Sequence, residues 1–420
     1  MIDIRLARDD PEALASVLAR RGVSRDVVDR LHHLDAQRRA LITTADELRA
    51  RQRQLGREVG AASSPQEREQ LIAEVKEVSS KLEELQPAEA AVGDQLEQLL
   101  AVIPNLPHPD APDGDSDEDA VEVDRFGKMP EFDFPARDHL EIGESRGMID
   151  VARAAKVSGS RFAYLLRDAV LLELALIRYA LDRATAAGFV PVIPPVLTRA
   201  EALFGTGFLP DSEDLLYEVP RDELYLSGTS EVALAGMHMD EILAAEDLPV
   251  RYAGLSTCFR REAGAYGKDT RGIFRVHQFD KVEMFSFVAP DQSEAEHQRL
   301  RDIQVDILAG LGLHGRVVDI AAGDLGASAA RKFDIEVWLP GQGAYRELTS
   351  ASNCTDYQAR RLKCRYRADE GETVMVHTLN GTACAVGRTM IAVFETHQRA
   401  DGTVAVPGVL QPYFGSEEMG

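Results

Sequence analysis

Phe259-Arg260-Arg261-Glu262-Ala263-Gly264 opens a stretch that continues through Asp269-Thr270-Arg271-Gly272 and returns as Arg275-Val276-His277-Gln278-Phe279. Two runs bearing arginines flank a polar, glycine-containing segment, so the stretch reads as a strand, a loop and a returning strand. Arginines placed on such a hairpin can hold phosphates bidentately. Charge pairing at the surface is the competing reading. From about residue 136 to the end, short β-rich runs alternate with helical patterns. Strands are expected at residues 224–226, 275–288 and 335–339, and helices at 169–187 and 295–311. Strands bracketed by helices in this way predict an α+β domain built around an antiparallel sheet.

Neither common phosphate loop is present. There is no G-x-x-x-x-G-K-[ST] segment, and no G-x-G-x-x-G opens a helix. A nucleotide, if bound, would have to be held by side chains such as those of the arginine hairpin, with Arg388 in Val386-Gly387-Arg388 as a further candidate.

The first hundred residues follow a different rule. Leu31, Leu34, Leu41, Ala45, Leu48, Leu55 and Val59 recur at alternating steps of three and four, with Arg38 and Gln52 filling the gaps. A second run holds Leu71, Val75, Val78, Leu82, Leu85, Val92, Leu96, Leu99 and Ile103, with Glu89 its one polar member. A period of 3.5 residues is the signature of a coiled coil. Between the runs, Gly60 suits a helix end, and Ser64 with Pro65 suits an N-cap and first helical position. Two helices joined by so short a turn run antiparallel, and each would span about 50 Å at 1.5 Å per residue. Pro87 should bend the second helix without ending it.

Charge is divided unevenly over this arm. Arg49, Arg51, Arg53 and Arg57 lie in a stretch without acids, and Arg38 and Arg39 sit further back on the same helix, whereas the second helix is acidic. Ion pairing across the seam is one reading and a strip for phosphates the other. The second matters because the chain carries a formal charge of -23, which by itself argues against a nucleic-acid partner. Net charge governs solubility, however, not local patches. After Pro104 an acidic run, 110–119, reads as a solvated connector.

Other classes of protein are disfavoured. No apolar run is long enough to span a bilayer, and the N-terminus lacks the apolar core of a signal peptide, so a cytoplasmic location without membrane contact is expected. Cys258, Cys354, Cys364 and Cys384 are scattered without a C-x-x-C pair, so neither a zinc site nor a disulfide framework is expected.

Several of these segments also carry a resemblance. Residues 259–279 look like motif 2 of class II aminoacyl-tRNA synthetases, Gly188 to Pro195 like motif 1, and Asn380 to Arg388 like motif 3. Thr229-Ser230-Glu231 resembles the serine-binding loop of seryl-tRNA synthetases. Glu347-Leu348-Thr349-Ser350, followed by Ser352-Asn353-Cys354 and Gln358-Ala359-Arg360-Arg361, resembles another segment of that family, as does the helical arm at 27–103. The resemblance covers essentially the whole chain, with its elements in order, and points to the bacterial type.

The resemblance implies three regions: a tRNA-binding domain at 1–110, an acidic linker at 111–135 and a class II catalytic domain at 136–420, dimeric through motif 1. It implies a serine–tRNA ligase that forms seryl-adenylate from serine and ATP, then transfers serine to tRNA(Ser), which it grips by the long variable arm and the acceptor end. Arg260 would meet the α-phosphate and Glu262 the adenine amino group. Phe279 and Arg388 would flank the adenine, and Arg271 and Arg275 would add phosphate contacts. Glu347 and Ser350 would hold Mg²⁺, and Thr229, Glu231, Arg260, Glu283 and Thr382 would bind serine. Arg38, Arg39, Arg49, Arg51, Arg53 and Arg57 would face tRNA. Taken alone, Glu283 in an alternating strand would be expected to face solvent, Phe279 to lie in the core and His277 to make a structural hydrogen bond.

The chain departs from the family at Thr382-Ala383, where many relatives have Ser-Gly, at Ala233, where proline is common, and at Gln411, where arginine precedes Pro-Tyr. None removes a proposed catalytic group. Two other functions compete: a seryl-adenylate-forming paralogue serving another acceptor, against which the long arm argues, and a non-catalytic coiled-coil protein, against which the intact arginines and acids argue.

Overall fold

The computed structural model describes residues 1–210, 212–262, 269, 271–368 and 371–420. Most of the glycine-containing loop of the arginine hairpin, 263–268 and 270, lies outside them. The chain divides into two compact units, Ile2–Ile103 and Pro104–Gly420 together with Met1.

In the first unit, two short helices, Ile4–Asp9 and Pro11–Ala19, precede α1 (Arg25–Ala61) and α2 (Pro65–Val102), which are 37 and 38 residues long. α1 runs one residue past Gly60. Ser64 caps α2 as expected: its Oγ accepts from the Glu67 amide at 3.2 Å, and Pro65 opens the helix. Pro87 sits inside α2 without dividing it. Heptad positions Leu31, Leu34, Ala45, Leu55, Val78 and Leu96 are buried, while Arg38 alone among the expected seam residues is exposed. Gln52, a polar seam position, donates to Ser79 Oγ at 2.9 Å and so is satisfied inside the hairpin.

The second unit is built on an eight-stranded sheet. Its strands are β1 (Val121–Phe126), β2 (Val190–Val192), β3 (Val250–Phe259), β4 (Gln278–Val288), β5 (Gly315–Asp319), β6 (Arg331–Leu339), β7 (Ala344–Asn353) and β8 (His377–Ala385). The spatial order is β1-β5-β6-β7-β8-β4-β3-β2, antiparallel throughout except for the last pair. Helices α3 (Asp168–Ala186), α4 (Ser293–Gly310) and α5 (Val386–Thr396) pack their apolar faces on it, forming a core that includes Leu172, Leu176, Leu300, Ile307, Ile391 and Phe394. No helix among the described residues is long and apolar enough to cross a membrane.

Two expectations change here. The returning strand of the arginine hairpin begins at Gln278 rather than Arg275. The stretch 111–135, expected to be a solvated linker, contains β1, which pairs with β5 along the sheet edge. Both faces of β1 remain exposed, every residue from Val121 to Arg125 being so, and it has no alternation of buried residues to betray it. Just upstream, the segment after Pro104 is also tied down. Asn105 Nδ2 donates to the carbonyls of Ser328 and Cys354 at 2.9 and 2.8 Å.

Candidate active site

A cavity of about 360 Å³ opens on the sheet, lined by residues of β4, β6, β7 and β8 and by Arg260 just beyond β3. The strand period explains which residues reach it. Phe279, Lys281 and Glu283 alternate along β4 and therefore share a face. A register irregularity between Val282 and Glu283 sets Glu283 opposite Thr382 of β8, leaving Ala383 out of the pairing. These two residues, 99 apart in sequence, then meet: Thr382 Oγ1 donates to Glu283 Oε2 at 2.9 Å. Glu283 is thus buried, not solvent-facing.

A second irregularity lies on β7. Glu347 and Ser350 are three apart and would point to opposite faces of a regular strand. Skipping Leu348 in the pairing sets Glu347 opposite Glu336 and Ser350 opposite Asp334, so both face the cavity.

Thr229, Glu231, Arg260, Glu262, Arg275, Phe279, Glu283, Glu347, Ser350, Thr382 and Arg388 all line the cavity. Arg271 does not. Its guanidinium is held outside by Asp138 at 2.8 Å and Glu141 at 3.6 Å. Arg275 and Glu262 pair with each other at 2.6 Å. Arg260 donates to the Gly228 carbonyl at 3.3 Å and stands 5.3 Å over the Phe279 ring, whereas Arg388 stands 4.6 Å over Phe274. The aromatic partner of Arg388 is therefore Phe274, a residue the sequence reading passed over. His277 bonds the Arg260 carbonyl through Nδ1 at 2.9 Å, a structural role.

Electrostatics divide the cavity in two. At one end Glu231 is buried, with Gln358 Nε2 donating to its Oε1 at 2.8 Å. Burial and the nearby Glu283 push its carboxyl up to about 7. At the other end burial opposes ionisation of Glu347, but Lys332, Arg388 and Arg260 outweigh it and hold that carboxyl below its usual range. An ionised carboxylate beside a serine hydroxyl is an oxygen donor set suited to Mg²⁺. Among the described residues no group of three His, Cys, Asp or Glu side chains is arranged for a metal. All four cysteines are free and buried.

Lys281, Lys332 and Phe274 were not picked out from sequence, and Gln358 was noted only within a family-like segment, without a role. For Lys281 a signal existed, its place midway between Phe279 and Glu283 on one strand face. Gln358 is buried under Glu231 by a helix that the sequence does not pair with it.

In the arm unit, Arg39 pairs with Asp35 at 2.8 Å, Arg49 with Asp46 at 2.9 Å and Arg51 with Glu74 of the facing helix at 2.6 Å. Arg38, Arg53 and Arg57 are exposed and make no ion pair among the described residues. Pairing within the hairpin thus accounts for half of the arginines and leaves the other half free.

An antiparallel sheet carrying a hairpin of arginines, with a mixed-charge cavity on its face, is the architecture of a class II aminoacyl-tRNA synthetase, and residues 217–397 match the class II tRNA synthetase core domain (G, H, P, S and T). Residues 1–107 match the seryl-tRNA synthetase N-terminal domain. Along its full length the chain is 51% identical to serine–tRNA ligase 1 of Streptomyces avermitilis and 50% identical to the serine–tRNA ligase of Nocardia farcinica, covering 99% of each. The seryl-tRNA synthetase of Pyrococcus horikoshii, solved with ATP, superposes with a TM-score of 0.95 at 41% identity, over 100% of this chain and 99% of that one. The chain belongs to the seryl-tRNA synthetase family.

Proposed function

We propose that the chain activates serine with ATP and esterifies it to tRNA(Ser), and that the cavity side chains divide the work by charge. The observation that carries this reading is the cavity itself. It brings Glu283 and Thr382 together and also holds Arg260, Arg388 and Glu347, which supports a serine-hydroxyl end and a phosphate end. Serine's carboxylate attacks the α-phosphorus of ATP and pyrophosphate leaves. The carboxylate is already ionised near neutral pH, so activation needs no general base. It needs positioning and neutralisation of developing charge. Arg260 and Arg388 supply the neutralising charge, and Glu262, Phe279 and Arg388 are the residues offered to the adenine, with Arg275 as a further phosphate contact. Glu347 and Ser350 would hold Mg²⁺, which when bound neutralises and orients the phosphates. Thr229 and Glu231 receive the ammonium of serine. In the second step a terminal ribose hydroxyl of tRNA attacks the seryl carbonyl and AMP leaves.

The arm, within the region 1–110, is read as the tRNA-binding part and 136–420 as the catalytic part. A cytoplasmic setting fits the substrates and the four unpaired thiols. A homodimer is supported by an exposed apolar surface on the catalytic part. α3 buries one face, yet Val170, Leu171 and Leu174 on its other face are exposed, as are Val190 and Ile193 of the motif 1 segment. A helix apolar on both faces has a second surface to cover.

Serine-dependent ATP–pyrophosphate exchange followed by charging of total tRNA tests the reading. Exchange with serine and charging of serine tRNA is the expected result, and exchange without charging would favour another acceptor. Because the Glu231 carboxyl is pushed up to about 7, it gains a proton as pH falls through that value. A protonated carboxyl no longer attracts an ammonium, so KM for serine should rise below pH 7, by up to about tenfold per pH unit. A flat KM between pH 8 and pH 6 would remove Glu231 from the ammonium site. Charge reversal at Arg53 and Arg57 should raise KM for tRNA and flatten its salt dependence, with KM for ATP unmoved. Reversal of Arg51, which pairs within the hairpin, should instead lower the thermal stability of the arm.

A further inference from the structure

Lys281 is a buried cation, 6% exposed, in the wall of the cavity beside the hydroxyl-reading pair. Its ammonium donates to Thr229 Oγ1 at 2.7 Å and meets Glu283 Oε2 at 2.5 Å. The same carboxylate oxygen accepts from Thr382 Oγ1 at 2.9 Å. Glu283 Oε2 is thus engaged twice, and Oε1 is the atom turned over to a ligand.

A carboxylate alone does not select a hydroxyl. Ionised, it is an acceptor only, and it bonds an ammonium more strongly than a neutral hydroxyl, because charge-assisted bonds are the stronger kind. An amino acid whose side chain ends in an ammonium in place of serine's hydroxyl would therefore compete well at Glu283 taken by itself. Lys281 changes that balance. With Glu231 ionised, as it becomes above about pH 7, Glu231, Glu283 and Lys281 together amount to a single negative charge, matched by the single α-ammonium of serine. A second ammonium would enter beside the lysine with no charge left to meet it, and like charges at close quarters repel.

We infer that Lys281 is the residue that makes this pocket accept a hydroxyl side chain and reject an isosteric ammonium side chain. The inference rests on the serine reading above. It assigns Lys281 a selective role through Glu283 and not a chemical step.

The test compares pyrophosphate exchange driven by serine and by 2,3-diaminopropionate near pH 7, where a large fraction of the diamine carries both ammonium groups while a large fraction of Glu231 is still ionised. The wild-type chain should favour serine by about 10³-fold or more in kcat/KM. Lys281→Met should lower kcat/KM for serine by about 10²-fold while raising that for the diamine, so that the ratio moves by about 10³-fold or more. Lys281→Arg, which keeps the charge, should keep the preference. An equal fall for both substrates in Lys281→Met would reduce the lysine to a packing role and overturn the inference. If Lys281→Met does not fold, Lys281→Gln carries the same expectation. The unaltered protein supplies an independent measurement: inhibition of serine exchange by the diamine within about tenfold of the serine KM would overturn the inference without any variant. Absence of serine-driven exchange in the wild-type chain would overturn the serine reading and this inference with it.

Discussion

Replacing Arg260 with alanine should slow single-turnover formation of seryl-adenylate by about 10²–10³-fold, roughly 3–4 kcal/mol of transition-state stabilisation. Binding of serine should weaken much less. The guanidinium is anchored on the Gly228 carbonyl and backed by Phe279, so it is held at the cavity wall in advance. Charge that builds on the phosphate oxygens meets a group that need not reorganise, and an interaction realised in the transition state acts on the rate rather than on ground-state affinity. Arg271, held outside by Asp138 and Glu141, is the control: its alanine variant should retain adenylate formation. Wild-type rates in Arg260→Ala would contradict the assignment of that arginine to the α-phosphate.

Removing residues 27–103 should separate the two half-reactions. Charging of tRNA should fall by about 10³-fold or more, because a basic strip that neutralises several phosphates carries affinity of that order. Serine-dependent pyrophosphate exchange should persist, since every residue lining the cavity lies in the unit from Pro104 to Gly420. Exchange is the internal control, because a shortened chain that fails to fold loses both activities. Loss of exchange in a folded variant would assign the arm a part in activation and contradict the division of labour.

What could be read from the sequence follows from how each feature is encoded. The arm was legible because α1 and α2 repeat one pattern many times, so that three polar intrusions, Arg38, Gln52 and Glu89, did not obscure it. The fates of its arginines were not legible. Arg51 and Arg53 are indistinguishable as letters, yet one faces Glu74 across the seam and the other faces outward. The cavity residues were found largely by resemblance. Residue pattern alone left Glu283 as a solvent-facing strand residue, because its partner Thr382 is 99 positions away and is brought opposite it by an irregularity in the β8 strand that leaves no local mark. Lys281 was passed over despite its place between Phe279 and Glu283 on one strand face, because a lysine in a strand ordinarily reads as solvated and one of its partners, Thr229, is 52 residues back. β1 went unseen because it is an edge strand held by its backbone, with side chains that are not sorted into buried and exposed.

The burial of all four cysteines gives the folded chain a chemically quiet surface. It is the thiolate that attacks thiol reagents, and burial pushes Cys364 and Cys384 up to about 12 and holds Cys258 and Cys354 above the ordinary thiol range. Alkylation then waits on opening of the structure, so the rate at which a maleimide consumes these sulfurs becomes a clock for unfolding. It also means that one cysteine introduced at the exposed Arg53 position would be labelled against a silent background, giving a spectroscopic handle at the end of the arm.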